Sequence, residues 1–521
     1  MAQSVGDLSP DGRWRWDGER WVGVVAANAD TWATRLGAAV CDLRVARPAG
    51  WQILVVVLLG GVLFDLALRS SRVGLATSLL FIAICAGLVL TRRVVSPHGI
   101  LALSLAVLLA GGLSLRQSDW LLVPDLLVAI GLVLVACALA ADGSLFDLSF
   151  ARAQAHGLRV LLHLLVGTGF AAAPIRAAGV HLRGQRRAHV VAALRGVLLA
   201  VPIVLLLAWL LAQADAVFAS FFRFRTDPLD WTGHLVLFAL GVLLAAGLTR
   251  AASAEPMGAL PALRWRLGVI ETLIVLVALD LVFAGFTVAQ VVAATGGGTA
   301  AIQSQGLTYA QYAQSGYFQL LWVAGLTLLL LLVLRAFVDR SQPVGRRAFL
   351  IASELAIVFT LVIVGVAFQR LDLYVSVYGL SMLRLYCLVF AGWIALVYVA
   401  LGLALTRLGD RRQWFPAVMV LVGVAGLLAL NVANPEALVA RYNLAETQAS
   451  QRFDPDYLVT LSSDAMPVLA DALPTLNIGP SAIVHERLCG GPPFSPRDWT
   501  ALNWSDHVAD EARRRACRSS A

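Results

Sequence analysis

The sequence predicts an all-α fold: a polytopic transmembrane helix bundle of about eleven spans, followed by a helical exported C-terminal tail. Composition is the first observation. The 521 residues are 59% hydrophobic and only 14% charged, where soluble globular chains are nearer a quarter charged. Mean hydropathy is +0.79. The second observation is pattern: apolar runs of roughly 15 to 26 residues alternate with Arg-bearing loops. The third is periodicity. The runs lack the apolar/polar alternation of membrane β-strands, which excludes a barrel.

All 40 basic residues are Arg, and the formal net charge is +8. A basic balance can signal nucleic acid. Here most Arg residues sit in short loops beside apolar runs, where the positive-inside rule accounts for them. The expected partner is therefore the lipid bilayer, and no nucleic acid. The first apolar run begins at Trp51, after an Arg-rich stretch, so no cleavable signal is expected.

Residues 1–50 read as a cytoplasmic segment. SPDG at 9–12 and Asp17-Gly18 are turn signals. A two-residue type I′ turn at Asp17-Gly18 would set Trp14 opposite Trp21. Such an aromatic pair stabilises a hairpin by about 0.2–1 kcal/mol. The segment reads either as a small module for a protein partner or as a surface segment resting at the headgroups. From 28 to 47, Trp32, Leu36, Val40 and Leu43 recur at helical spacing, with Arg35, Asp42 and Arg44 among them. This predicts an amphipathic helix on the membrane.

The bundle is expected over 51–430, with spans at 51–68, 74–90, 99–115, 121–141, 194–212, 234–248, 267–292, 316–334, 349–368, 385–405 and 415–430. With the N-terminus inside, the inner loops carry most of the Arg, including Arg92, Arg93, Arg186, Arg187, Arg346 and Arg347. That bias predicts a cytoplasmic N-terminus and an extracytoplasmic C-terminus in a bacterial inner membrane. The segment 158–173 is apolar but short, and contains Arg159 and His163. If it spanned, every later loop would invert, so it is placed at the inner surface.

The bundle is organised around the hairpin 267–334, which has no charged residue between Asp280 and Arg335. Yet Glu271 and Asp280 lie within its first span, and Glu354 lies at a depth similar to Glu271 in a later one. An ionised carboxylate in hydrocarbon is costly, so such an acid faces protein or water. Nine residues at about 100° each put Glu271 and Asp280 on opposite faces. These three acids are the candidate intramembrane polar site, either an ion path or interhelical polar contacts. Asp65, Asp125 and Asp215 lie at outer span ends, within reach of Arg370 or Arg384. Tyr309, Tyr312, Tyr317 and Trp322 fit an aromatic belt, with ligand stacking as the other reading.

Residues 431–521 read as a polar exported tail with helices near 453–473 and 495–517. Asp454-Pro455 and Ser495-Pro496 are their starts, and the Gly/Pro-rich 474–493 connects them. Cys489 and Cys517 form a candidate disulfide in an oxidising compartment. With His485 and His507 they also allow zinc, although the second spacing is loose. No CxxC pair, HExxH, P-loop or dinucleotide fingerprint occurs. No catalytic residue, metal or cofactor is therefore assigned.

The stretches DLVFAGFTVAQ, LTYAQYAQSGYFQLL, Tyr378-Gly379-Leu380, Leu383-Arg384-Leu385-Tyr386, NPEALVARYN and DYLVTLSSDAMP resemble an uncharacterised family of bacterial multi-pass membrane proteins. That family is the DUF four-one-seven-three type. QADAVF at 213–218 fits as well. LSPDGRWRWDGERW resembles a Trp-rich motif, SPDG followed by WDGxxW, seen at the ends of other bacterial membrane proteins. The family carries an acid where this chain has Gln311 and a base where it has Gln314, which argues against an ion-pair role for that loop. The resemblance implies an integral membrane protein and no activity. The functional expectation is a non-enzymatic membrane scaffold or sensor, with a transporter using Asp280 as the alternative.

Overall fold

The computed structural model describes residues 14–16, 21–23, 37, 40–140, 143–147, 150–181, 228–258, 267–293, 316–338, 343–406, 414–450, 454–496 and 498–518. Among them, nine helices are long and apolar enough to cross a membrane, and Leu75–Leu90 is a shorter apolar helix. Ten expected spans are thereby helical. The eleventh, 194–212, lies outside the described residues, as do Asp215, the QADAVF stretch and the Tyr309 and Tyr312 loop.

A short hairpin, β1 (Trp14–Trp16) and β2 (Trp21–Gly23), opens the chain. Its register pairs Trp16 with Trp21 and Trp14 with Gly23. The expected Trp14–Trp21 pairing is corrected by two residues: the four residues 17–20 connect the strands, not a two-residue turn. Most of the expected helix 28–47 lies outside the described residues. Its end is not helical, because 42–50 runs irregularly and is pinned to 253–255. Ala46 N donates to Ser253 O at 2.9 Å, and Glu255 N donates to Arg44 O at 3.2 Å.

The first half of the bundle contains α1 (Trp51–Arg69), α2 (Leu75–Leu90), α3 (Pro97–Leu115) and α4 (Asp119–Ala138), later joined by α8 (Pro228–Ala251). Leu88, Leu109, Ala129 and Leu132 fill its core. With lipid outside, helices gain by close packing rather than by hydrophobic transfer, so small residues mark their contacts. A Cβ on Gly60 of α1 would stand 2.9 Å from Ala245 Cβ on α8. Residues 158–173 do not form one long helix. They divide among α5 (Phe150–Leu165), α6 (Gly167–Ala171) and α7 (Ala173–His181). Arg159 is buried and holds Asp42 O and Glu255 O at 2.9 and 2.8 Å. His163 lies 2.9 Å from Arg250; burial and then Arg250 lower its pKa to about 4.

The second half comprises α9 (Val269–Val292), α10 (Tyr317–Phe337), α11 (Pro343–Tyr378) and α12 (Met382–Thr406) around Leu276, Ala324, Ala356 and Leu401. Helix α13 (Trp414–Ala433) is the seam, giving Val424 to the first core and Phe415 to the second. Helix α11 has 36 residues, about 54 Å at 1.5 Å each, against a hydrocarbon core of about 30 Å. Its surplus turns project into a third core.

That third core belongs to a helical cap: α14 (Pro435–Ser450), α15 (Pro455–Val459), α16 (Met466–Ala472), α17 (Ile478–His485) and α18 (Trp504–Arg518). Leu458, Met466, Leu469, Val484 and Ala512 pack there with Val375, Leu380 and Met382 from the bundle. The expected helix 453–473 is broken between α15 and α16, because Asp464 turns to meet the bundle at Gln117 and Ser118 while Ser462 N donates to Glu436 of α14. The expected connector 474–493 contains α17. Asp454 does cap α15, accepting from Tyr457 N at 3.0 Å. The last helix begins at Trp504 rather than at Ser495-Pro496, because Asp510 accepts from Phe494 N and Ser495 N at 2.7 and 3.0 Å and folds that stretch back.

Candidate functional site

The three candidate acids sit in different surroundings. Glu271 is exposed and caps its own helix, accepting from Gly268 N at 2.9 Å. Asp280, on the opposite face of α9, is 6% exposed, and its Oδ1 has no hydrogen-bond partner among the described residues. Glu354 on α11 is half-buried beside Gly402 of α12, where a Cβ would come within 3.0 Å of its carboxylate. Asp65 and Asp125 do not pair with Arg370 or Arg384. His234 lies 2.6 Å from Asp65, and Asn431 donates to Asp125 at 2.7 Å. Arg384 instead lies 4.3 Å above the Tyr374 ring and donates to Tyr378 O at 3.0 Å.

The densest polar constellation is where cap and bundle meet, and sequence reasoning missed it. Asp464 is its centre, with a side chain 1% exposed. Its Oδ2 accepts from Gln117 N and Ser118 N at 2.8 and 2.9 Å, on the turn that starts α4. Its Oδ1 accepts from Ser505 Oγ at 2.7 Å and lies 3.6 Å from Arg116. Helix starts expose unpaired N–H groups, which a carboxylate satisfies. Arg116 also donates through Nε to Asn431 O at 2.7 Å, serving the open carbonyls at the end of α13.

Further bonds fasten the rest. Asn503 donates to Leu113 O and Arg116 O at 3.1 and 2.8 Å. Glu436 accepts from Ser462 N at 2.6 Å. Asn443 reads both backbone groups of Leu380, at 2.9 and 2.7 Å. Tyr457 OH accepts from Met382 N at 2.8 Å. Gly379 has φ +75°, and a Cβ there would stand 2.6 Å from Asn443 Oδ1, so glycine is required twice over. On the other flank, Leu75 N donates to Leu502 O at 3.0 Å, and Arg72 lies 3.7 Å from the fully buried Asp506.

Burial raises the Glu436 carboxyl above the ordinary range, against hydrogen bonds from Ser118 and Ser462. Burial likewise raises Asp506, opposed by Ser463 and Arg72. At Asp510 burial pushes upward, but the bonds from Ser495 and Phe494 outweigh it and the net shift is downward.

Cys489 and Cys517 are joined, with Cα atoms 5.8 Å apart, inside the usual disulfide range. The pairing removes both thiolates that zinc would need. His507 lies against Glu511 at 3.3 Å. Among the described residues, no group of three or more His, Cys, Asp or Glu is placed to hold a metal.

Nine long apolar helices among the described residues, with a docked helical cap, define an integral membrane protein with a polytopic helical bundle. The chain belongs to the family described as Domain of unknown function (DUF4153), which matches residues 100–472. The DUF four-one-seven-three type that the motifs resembled is not the family shown. No curated protein and no solved structure gives a significant match. The matched region runs from α3 through α16 and contains Arg116, Glu436 and Asp464. Three stretches that carried the resemblance, around 378–386, 434–443 and 456–467, converge at this junction. Their separation in sequence hid that they belong together.

Proposed function

We propose that this protein is a non-enzymatic scaffold or sensor of a bacterial inner membrane, with a cytoplasmic N-terminus and an extracytoplasmic cap. The Arg bias of the loops supports that orientation. The observation that carries the reading is the Asp464 junction: one buried carboxylate ties the cap to the start of α4 and, through Arg116, to the end of α13. A partner engaging the cap would thereby bias the helices beneath it. In this orientation the Trp-rich hairpin, on the cytoplasmic side, is a second candidate face for a protein partner.

A transporter is the second reading, favoured by the buried Asp280 with its unsatisfied oxygen. Reconstituted vesicles separate the two. Under an imposed proton or sodium gradient, the scaffold reading expects flux equal to that of empty vesicles, and Asp280→Asn to be indistinguishable. Flux that Asp280→Asn abolishes would overturn it. A Cys at 280 that reacts rapidly with a membrane-impermeant thiol reagent would point the same way.

A further inference from the structure

At the seam between the two halves of the bundle, α4 and α12 stand apart over α13 and leave an apolar groove of about 770 Å³. Val123 and Val128 form one wall, Val389 and Phe390 the other, and Gly423 and Gly426 the floor. Helix α13 can be both seam and floor because these glycines carry no side chain. A Cβ on Gly426 would meet nothing within 4 Å. Along α4 the groove runs from Asp119 to Val128, about 14 Å at 1.5 Å per residue. That is half of a hydrocarbon core of about 30 Å, the depth of one leaflet.

Directly above lies a second, polar cavity of about 390 Å³ between the bundle and the cap. The two share Asp119 and Trp120, and the Trp120 ring packs against Tyr386 at 5.3 Å where they meet. Asp119, Glu436 and Arg487 line the upper cavity, with the hydroxyls of Ser381, Tyr457 and Thr460. It therefore offers acids and a guanidinium within one chamber, above a slot whose lining is apolar apart from Asp119, the Tyr386 hydroxyl and the indole N–H groups of Trp120 and Trp393.

We propose that groove and chamber form one binding site for a zwitterionic aminophospholipid of the cap-side leaflet. An acyl chain lies along Gly423 and Gly426. The headgroup phosphate faces Arg487, and the ammonium faces Asp119 and Glu436. Charge complementarity selects this head over an anionic one, because the exposed Asp119, joined by Glu436 once it is ionised, would repel a head without an ammonium. The reading is independent of the scaffold or transporter question and of which side the cap faces.

The test uses the full chain in vesicles of equal parts phosphatidylethanolamine and phosphatidylglycerol, each doped in turn with its photoactivatable form carrying a diazirine in the acyl chain. Adducts from the ethanolamine lipid are expected on 120–128, 386–393 and 419–430. Gly426→Phe fills the floor and is expected to lower those adducts about tenfold. Gly131→Phe, placed where a Cβ meets nothing and outside the groove lining, leaves them unchanged. Asp119→Asn and Arg487→Gln together are expected to erase an ethanolamine-over-glycerol preference of about tenfold. A thermal melt matching the wild type shows that each variant is folded; a variant that fails it is replaced by Gly426→Leu. Adducts indifferent to Gly426→Phe, equal labelling by both lipids, or crosslinks only from the groove to the chain's own residues 182–227 would each overturn the proposal.

Discussion

Asp464 is an ordinary-looking acid in a polar tail, yet it satisfies two backbone N–H groups, a serine hydroxyl and an arginine in one buried place. Asp464→Ala leaves those donors without an acceptor and is expected to weaken cap docking by about 3–5 kcal/mol, as for a broken buried ion pair. Hydrogen exchange at 113–119 and 499–506 reads that loss, and unchanged protection would refute the role. The acids around it set a pH dependence. Glu436 and Asp506 have raised values in the fold. A raised acid binds its proton more tightly when folded, so its stabilisation is complete below the unfolded value of about 4 and fades as pH rises through the folded value. Asp510 is lowered, so its contribution is present above about 4 and is lost as pH falls. Cap melting temperature is therefore expected to fall as pH rises from about 4. Glu436→Gln should flatten that slope, and an unaltered slope would refute the assignment.

At the scale of elements, the cap depends on two devices. Cys489 and Cys517 close a separation of 28 residues, and losing that link is expected to cost about 3.5 kcal/mol on chain-entropy grounds. Cys517→Ser should therefore lower the melting temperature of the cap while the bundle persists. In wild-type membranes both thiols should resist alkylation until reduced. The other device is the break between α13 and α14. Asn434 has φ +54°, a conformation asparagine tolerates better than most residues. Its side chain caps α14 through Ala437 N at 3.1 Å and holds Asp464 O at 3.1 Å. Asn434→Ala loses all three, an expected cost of about 1–2 kcal/mol, read as earlier cap melting.

For the whole molecule, the loops predict the cap outside and the N-terminus inside. A reporter active only in the cytoplasm, fused at Ala521, should be silent, and activity there would invert the topology. The helices themselves were legible because each span is its own signal: about twenty apolar residues must satisfy their backbone within one helix. Even the doubtful segment 158–173 carried its clue in Arg159 and His163, both buried against Asp42, Glu255 and Arg250 in the structure.

The sequence by itself determined that this is a multi-pass helical membrane protein, where most spans lie, and that Glu271 and Asp280 face opposite ways. Those properties follow from hydropathy and from the 3.6-residue period, which act within a single stretch of chain. Only the tertiary structure decided that α13 joins two cores, that α11 outgrows the bilayer to hold the cap, and that Asp464 meets Gln117 and Ser118 across 347 and 346 residues of chain. No local signal could show this. A carboxylate in a polar tail looks solvated until packing brings it the unpaired N–H groups of a distant helix start, and the free energy lies in that meeting rather than in either partner.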